Sequence, residues 1–302
     1  GNVNDPGVDI LQVVYKHDIP TEFPDDVLEE ISHIPDYVTE EEKEGRVDLT
    51  DQKLVTIDSI ESKDLDDAVN ARKLPNGNFH LGVHIADVSH YVTPGSPLDK
   101  EAYERGTSVY LTDRVIPMLP HKLSNGICSL NAGEDRLALS CIMTFDPSGT
   151  MVDHEIAETV INVDKRMSYN GVSKILEGET QETEDQIVSM LLCMKELSDI
   201  LRERRGRRGS IDFDFPETKV ILDENGKPVD IRPYVRNDAT KIIEDFMLMA
   251  NETVAEEYYW RELPFLYRTH EVPDEEKIRK LSTFINNFGY HIHVRNEVRP
   301  KE

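Results

Sequence analysis

Residues 68–88 read AVNARKLPNGNFHLGVHIADV, and this stretch decides the predicted fold. Two β-like runs, 68–71 and 79–88, flank Asn76-Gly77, a dipeptide that strongly indicates a β-hairpin. Further strand-like runs lie at 54–57, 107–111, 137–145 and 154–163. Short runs clustered in this way, with turn residues between them, predict an antiparallel sheet or a partial barrel.

The second half of the chain changes to a helical pattern. Apolar residues between 185 and 205 recur at spacings of three and four, which predicts an amphipathic helix. Similar patterns predict helices over 238–260 and 274–288, the last of which ends at Gly289. Two more strands are expected at 211–215 and 219–222. Strands followed by helices predict the α+β class, with a mainly antiparallel sheet or partial barrel flanked by helices.

Residues 1–45 are predicted to form an arm that precedes a main domain over 46–302. Prolines interrupt this arm, and one short helix is expected at 24–31 with Pro24 just inside its start. The acidic run 40–44 is expected to be a solvated surface. Because the sequence does not begin with Met, we expect it to be a piece of a longer chain.

The charge of the chain limits its partners. The 302 residues include 34 Lys and Arg against 59 Asp and Glu, so the net charge is −25. Such a chain does not attract nucleic acid or an anionic membrane through its overall field. A nucleic-acid site must therefore be local, with metal ions offsetting its carboxylates. No apolar stretch predicts a transmembrane helix, and three cysteines without paired spacing favour the reducing cytoplasm.

The sharpest chemical feature is the segment DSIESKDLDD, residues 58–67, which contains four aspartates. Like charges this close repel each other and raise each other's pKa. On composition alone, a solvated acidic loop and a metal site are comparable alternatives. Oxygen ligands suit Mg²⁺ or Mn²⁺. The apolar runs on both sides favour the metal site, because they would hold the loop at a sheet edge.

The segment TIDSIESKDLDDA, residues 56–68, resembles the aspartate signature of the ribonuclease II and ribonuclease R family, in its catalytic RNB domain. Further blocks follow in the family's order at 82–92, 104–111, 114–120, 123–131 and 134–136. Weaker similarity extends the resemblance over residues 46–302. The opening residues 1–7 resemble the segment that joins the family's cold-shock domains to the catalytic domain, more like ribonuclease R than ribonuclease II.

The resemblance implies a processive, Mg²⁺-dependent hydrolase that cuts single-stranded RNA from its 3′ end and releases 5′-mononucleotides, with Mn²⁺ as the alternative ion. The family's catalytic and metal-binding aspartates fall on Asp58, Asp64, Asp66 and Asp67. Within that set we expect Asp58 and Asp67 to be direct metal ligands. Asp64 is expected to act through water, and Asp66 to be the most sensitive to mutation.

The resemblance also suggests RNA-binding residues. Tyr110 matches a family tyrosine that packs on RNA, although spacing alone favours a strand tyrosine with its ring in the core. Glu244 and Asn251 lie seven apart on one helix face, where they either line an RNA channel or are surface residues. Arg208 belongs to the dense basic stretch 202–208, which either contacts phosphate or is a solvated helix end.

Family members also use an arginine in a downstream Ser-Pro-Ile-Arg-like block, together with cold-shock and S1 domains, and these 302 residues contain none of them. We therefore expect further RNA-binding domains in the full-length chain, and weak or no turnover from this partial catalytic domain alone. Two alternatives remain. One is a catalytically inactive member that binds RNA or protein, and the other is an acidic divalent-metal-binding interaction module.

Overall fold

The computed structural model describes residues 7–179, 183–211, 218–233 and 236–292. Its strands in chain order are β1 (Val47–Asp48), β2 (Val55–Asp58), β3 (Asp67–Lys73), β4 (Phe79–Ala86), β5 (Val109–Tyr110), β6 (Val115–Ile116), β7 (Asp135–Phe145), β8 (Met151–Asn162), β9 (Lys165–Ser168), β10 (Thr218–Leu222) and β11 (Pro228–Pro233). Seven of them form one sheet, in the order β1-β8-β7-β4-β3-β2-β9. The β5–β6 and β10–β11 pairs form separate hairpins.

The main sheet is mostly antiparallel. Strands β2, β3, β4, β7 and β8 pair antiparallel with one another, whereas β1 and β9 add in parallel at the two edges. Within the described residues the two edge strands do not pair with each other, so the sheet is open. The predicted α+β fold with a mainly antiparallel sheet is confirmed, and the sheet is not closed into a barrel.

The stretch that decided the prediction forms β3, a tight turn and β4. Gly77 has a φ of +86°, a conformation that residues with a side chain rarely adopt. Across the pair, Asn70 lies opposite Gly82. A Cβ atom on Gly82 would lie 2.3 Å from Oδ1 of Asn70 and 2.6 Å from Nε2 of His84, so any larger residue there would displace these side chains.

The helices are α1 (Val8–Lys16), α2 (Asp25–Ser32), α3 (Glu40–Lys43), α4 (Val88–Tyr91), α5 (Pro97–Arg105), α6 (Tyr169–Leu176), α7 (Asp185–Arg207), α8 (Asp238–Trp260) and α9 (Glu275–Asn286). The three long helices that the sequence predicted correspond to α7, α8 and α9. The strand predicted at 219–222 corresponds to β10, but the one at 211–215 lies mostly outside the described residues. The strand predicted at 107–111 is only two residues long.

Successive side chains of a strand point to opposite faces of the sheet, and in this sheet both faces carry apolar residues. Helices therefore cover both faces. On one face α6, α7 and α8 pack over the strands, with buried Leu191, Met194 and Phe246 against Leu81 and Met143. On the other face the core includes residues from α2, α5 and a short π-helical segment, Lys122–Ile127. No helix in the described ranges is both long and apolar enough to cross a membrane.

The arm packs against this second face. Val27, Ile31 and Val38 are buried in its apolar cluster. The short helix predicted at 24–31 is α2. The acidic run 40–44, expected as a solvated surface, forms α3, in which Thr39 and Glu42 make a capping box at the N-terminus.

Arg105 joins the arm to the rest of the fold. Its side chain is 3% exposed and pairs with Glu101. The guanidinium donates to the carbonyl oxygens of Pro20 at 3.1 Å and Glu22 at 2.6 Å, and it lies 3.8 Å from the centre of the Phe23 ring. One buried cation thus satisfies carbonyl groups that the proline-interrupted chain cannot pair within a helix or sheet.

We predict that Arg105→Ala lowers the free energy of unfolding by about 1–3 kcal/mol, because it leaves the partly buried Glu101 carboxylate and several carbonyl groups without their donor. Urea denaturation measures this change. Arg279→Ala is the matched control, since Arg279 makes an exposed pair with Glu275 and should contribute less than about 0.5 kcal/mol. Equal effects of the two substitutions would contradict the anchoring role of Arg105.

Candidate active site

The acidic segment lies at one end of the sheet, between two neighbouring strands. β2 ends at Asp58 and β3 begins at Asp67. Residues 59–66, here called the acidic loop, connect them. Because β2 and β3 run antiparallel, the end of one and the start of the other meet at the same end of the sheet. The four aspartates predicted as site residues are therefore brought together.

Asp58 and Asp67 are largely withdrawn from water. Burial, followed by the charges of Asp58 and Asp66, raises the pKa of Asp67 to about 7. Burial and then the charge of Asp66 raise the pKa of Asp58 to about 6, against the opposing charge of Arg166. The Oδ2 atoms of Asp58 and Asp67 are buried and have no hydrogen-bond partner within the described part of the chain. Such oxygen atoms are suited to accept a cation.

The other two aspartates lie closer to solvent. Asp66 is an exposed residue at the end of the acidic loop. Its pKa is raised, first because nearby protein atoms displace water from the carboxyl group and then by the charge of Asp64. Asp64 accepts a hydrogen bond of 2.5 Å on Oδ2 from the hydroxyl of Tyr110. The acidic loop is thus joined to the aromatic side chain of Tyr110 through Asp64.

Tyr110 lies on β5 and is 65% exposed. The reading of Tyr110 as a core residue is therefore wrong. Its hydrogen bond to Asp64 is the main reason that its pKa is raised to about 12. Tyr110 and Asp64 line a cleft of about 770 Å³, here called the aspartate cleft, whose other polar lining includes Lys63, Arg114 and His121. Of the four aspartates, only Asp64 is among its described lining residues.

Two residues that hold the acidic loop were not predicted from the sequence. Nη2 of Arg166 on β9 lies 3.5, 3.0 and 2.5 Å from the carbonyl oxygens of Ser59, Ile60 and Ser62. Ser129 is buried and bonds to the loop on both sides of Asp64. Ser129 falls inside the family-like block 123–131, but no sequence pattern marked Arg166.

Glu244, Asn251 and Arg208 lie elsewhere, and none of them is among the described residues that line the aspartate cleft. Arg208 makes a two-pronged contact with Glu252, at 2.9 and 2.7 Å. Glu244 accepts from Arg205 at 3.2 Å and from Arg236. Asn251 is exposed on α8. Their contact with RNA stays a prediction.

A metal ion fits this site by charge and by donor chemistry. Among the described residues, no three Asp, Glu, His or Cys side chains already converge as a metal-binding group. The fit rests instead on two buried carboxylate oxygens without a partner and on pKa values raised first by burial and then by neighbouring negative charge. A hard divalent cation with oxygen ligands would relieve both costs.

Comparison with known proteins places the chain in a family. The profile described as "RNB domain" matches residues 46–300. Ribonuclease R 1 of Lactococcus lactis is 49% identical over 294 residues, which are 97% of this chain and 36% of that protein. Ribonuclease R of Thermotoga maritima is 49% identical over 304 residues, covering 99% of this chain and 43% of the relative. The chain thus spans less than half of these relatives.

A solved structure agrees with this assignment. The RNase R of Mycoplasma genitalium, in complex with ribose methylated single-stranded RNA, superposes with a TM-score of 0.91 at 34% identity. The match covers 98% of this chain and 46% of that one. The profile match over most of the chain, with the four aspartates at the junction of β2 and β3, leads to one conclusion: the chain belongs to the RNB-domain family, which includes ribonuclease R.

Proposed function

We propose that the protein is a 3′-to-5′ exoribonuclease that degrades single-stranded RNA processively to 5′-mononucleotides by metal-assisted hydrolysis. The observation that carries the proposal is the buried, unpartnered oxygen pair of Asp58 and Asp67 beside the exposed ring of Tyr110. The RNA substrate is supported by the M. genitalium relative, whose structure contains single-stranded RNA. The hydrolytic reaction, the 3′-to-5′ direction and the processivity are proposed from the resemblance to the family.

Asp58, Asp64, Asp66 and Asp67 are the residues that would hold Mg²⁺ or Mn²⁺. A bound divalent ion would polarise the scissile phosphate and lower the pKa of a water molecule that attacks it. The chain's own contribution is to bring the carboxylates together before the ion arrives. Holding these carboxylates together away from water is unfavourable, and the raised pKa values of Asp58 and Asp67 reflect this.

Tyr110 supplies a sequence-independent surface for RNA. Its exposed ring can stack on any base, which suits an enzyme that must accept every nucleotide. Lys63 and Arg114 add positive charge in the same cleft, where phosphate must approach an otherwise acidic protein. Arg114 is partly neutralised by Asp113 at 2.6 Å. The cleft therefore combines stacking with a small local attraction.

Several expectations from the sequence remain part of this proposal. RNA contacts by Glu244, Asn251 and Arg208 are retained, and they require that the ion pairs of Glu244 and Arg208 exchange for RNA contacts. Further RNA-binding domains are expected in the full-length protein, with weak or no turnover from these 302 residues alone. The cytoplasm remains the expected compartment, on the sequence argument alone.

We predict that Asp67→Asn stabilises the metal-free protein at pH 8 by about 1–3 kcal/mol. The pKa of Asp67 is raised in the folded state, so ionisation of this group removes stability as the pH rises from about 4 towards about 7. The gain should therefore shrink as the pH is lowered towards 5. Urea unfolding in EDTA measures it, and Asp230→Asn, on the exposed β11, should not stabilise.

A second prediction concerns the ion itself. Mg²⁺ or Mn²⁺ should raise the melting temperature of the wild-type protein, because an ion that binds only the folded state adds about 2.7 kcal/mol at a hundredfold excess over its Kd. Asp58→Asn and Asp67→Asn should lose most of this gain, and Asp230→Asn should keep it. An equal gain in all four proteins would show that the ions do not bind at Asp58 and Asp67.

The function is tested with a 5′-labelled single-stranded RNA and Mg²⁺, resolved on a sequencing gel. We expect the full-length protein to give products that shorten progressively from the 3′ end, EDTA to abolish them, and the 302 residues alone to give few or none. Asp66→Asn should lower the rate by at least about 100-fold, as expected when an essential catalytic group is removed. The assay uses the 302 residues and, in parallel, the full length that the gene encodes.

The same experiment separates the alternatives. RNA that is retained by the full-length protein on a filter but never shortened would indicate the catalytically inactive, RNA-binding member of the family. Metal binding without either RNA retention or shortening would indicate an acidic metal-binding module. Either result would overturn the proposed activity.

A further inference from the structure

Ser129 is fully buried, in the segment between the π-helical turn and β7. Its hydroxyl donates to the carbonyl oxygen of Lys63 at 2.9 Å and accepts from the backbone N–H of Leu65 at 3.1 Å. The N–H of Leu130 donates to the carbonyl oxygen of Leu65 at 2.7 Å. Three hydrogen bonds therefore hold the residues immediately before and after Asp64.

Ser129 is itself fixed to the sheet. Its carbonyl oxygen accepts a 2.8 Å hydrogen bond from Nε of Arg136, a β7 residue that is only 3% exposed. Leu65 and Leu130, on either side of the contact, are buried as well. Ser129 and Leu130 thus connect the backbone of the acidic loop to β7.

The other contacts of the loop do not duplicate this role. Arg166 reaches the carbonyl groups of residues 59–62, which precede Asp64. The Tyr110 contact to Asp64 comes from a hairpin of two-residue strands, and its ring is mostly exposed. Backbone bonds from Leu130 to Leu65 and from Ala86 to Asp66 support only the residues after Asp64, whereas the hydroxyl of Ser129 bonds to the backbone on both sides of it.

We propose that Ser129 is a positioning residue for the reaction, which sets the placement of the Asp64 carboxylate by bonding to the backbone on both sides of it. The inference rests on the proposed function. Ser129 contacts neither the RNA nor the ion in this role. It acts only through the acidic loop.

Ser129→Ala removes the hydroxyl and leaves the Lys63 carbonyl and the Leu65 N–H unpaired in the core. The loop then relaxes, and a misplacement of about 1 Å can lower a catalytic rate by about 100-fold. We expect kcat on single-stranded RNA to fall by about 10- to 100-fold while KM stays within about twofold. Mn²⁺ affinity, measured by calorimetry without RNA, should fall by about tenfold.

Ser140→Ala is the matched control. Ser140 is 1% exposed on β7, and its hydroxyl contacts Nδ1 of His84 and Oγ1 of Thr159, each at 2.7 Å. It loses the same group from a comparable environment, but it does not contact the acidic loop. It should lower the melting temperature while leaving kcat and Mn²⁺ affinity unchanged.

A double-mutant cycle separates positioning from a general loss of structure. If Ser129 acts through Asp64, the Mn²⁺ affinity of Ser129→Ala/Asp64→Asn should equal that of Asp64→Asn alone. Additive losses would overturn the inference, as would wild-type Mn²⁺ affinity and kcat in Ser129→Ala. All proteins are tested at the full length that the gene encodes. Wild-type protein that cleaves no RNA would overturn the proposed function, whereas an active wild type equalled by Ser129→Ala would overturn only the role of Ser129.

Discussion

The burial of the Asp58 and Asp67 carboxyl groups, reinforced by the negative charge of neighbouring aspartates, is the constraint on which the rest of the site depends. Two carboxyl groups with pKa values of about 6 and 7 make the folded chain less stable at neutral pH than it would be with neutral side chains. The sheet tolerates them because β2 and β3 are held between two apolar layers. The stability lost at the site is offset by burial elsewhere.

The acidic loop needs support of its own, because its charges favour spreading apart. Arg166 holds the first half of the loop with a positively charged group close to Asp58. Ser129 holds the second half with an uncharged hydroxyl. The cation of Arg166 reduces the repulsion that Asp58 experiences from its neighbours. The hydroxyl of Ser129 is uncharged, so it does not neutralise the carboxylate of Asp64.

The acidic balance of the protein explains why the proposed RNA site has to be local. With a net charge of −25, attraction comes only from cations placed in the cleft itself, such as Lys63 and Arg114. Arg202, Arg205 and Arg208, at the end of α7, are already engaged with carboxylates of α8. A basic stretch in a sequence is therefore not by itself a free basic surface, because side chains from a neighbouring helix can neutralise it.

The sequence by itself determined the hairpin at Asn76-Gly77, the three long helices and the clustering of four aspartates between two strands, because each depends on local periodicity, turn residues or close spacing. Only the tertiary structure decided that the sheet stays open, that the arm packs on the core through Arg105, and that the ring of Tyr110 faces the cleft. It also decided that Ser129 and Arg166 reach the acidic loop, from 64 and 104 residues away at Leu65 and Ser62. Such contacts depend on which distant strands become neighbours in the sheet, and short-range sequence patterns do not predict that arrangement.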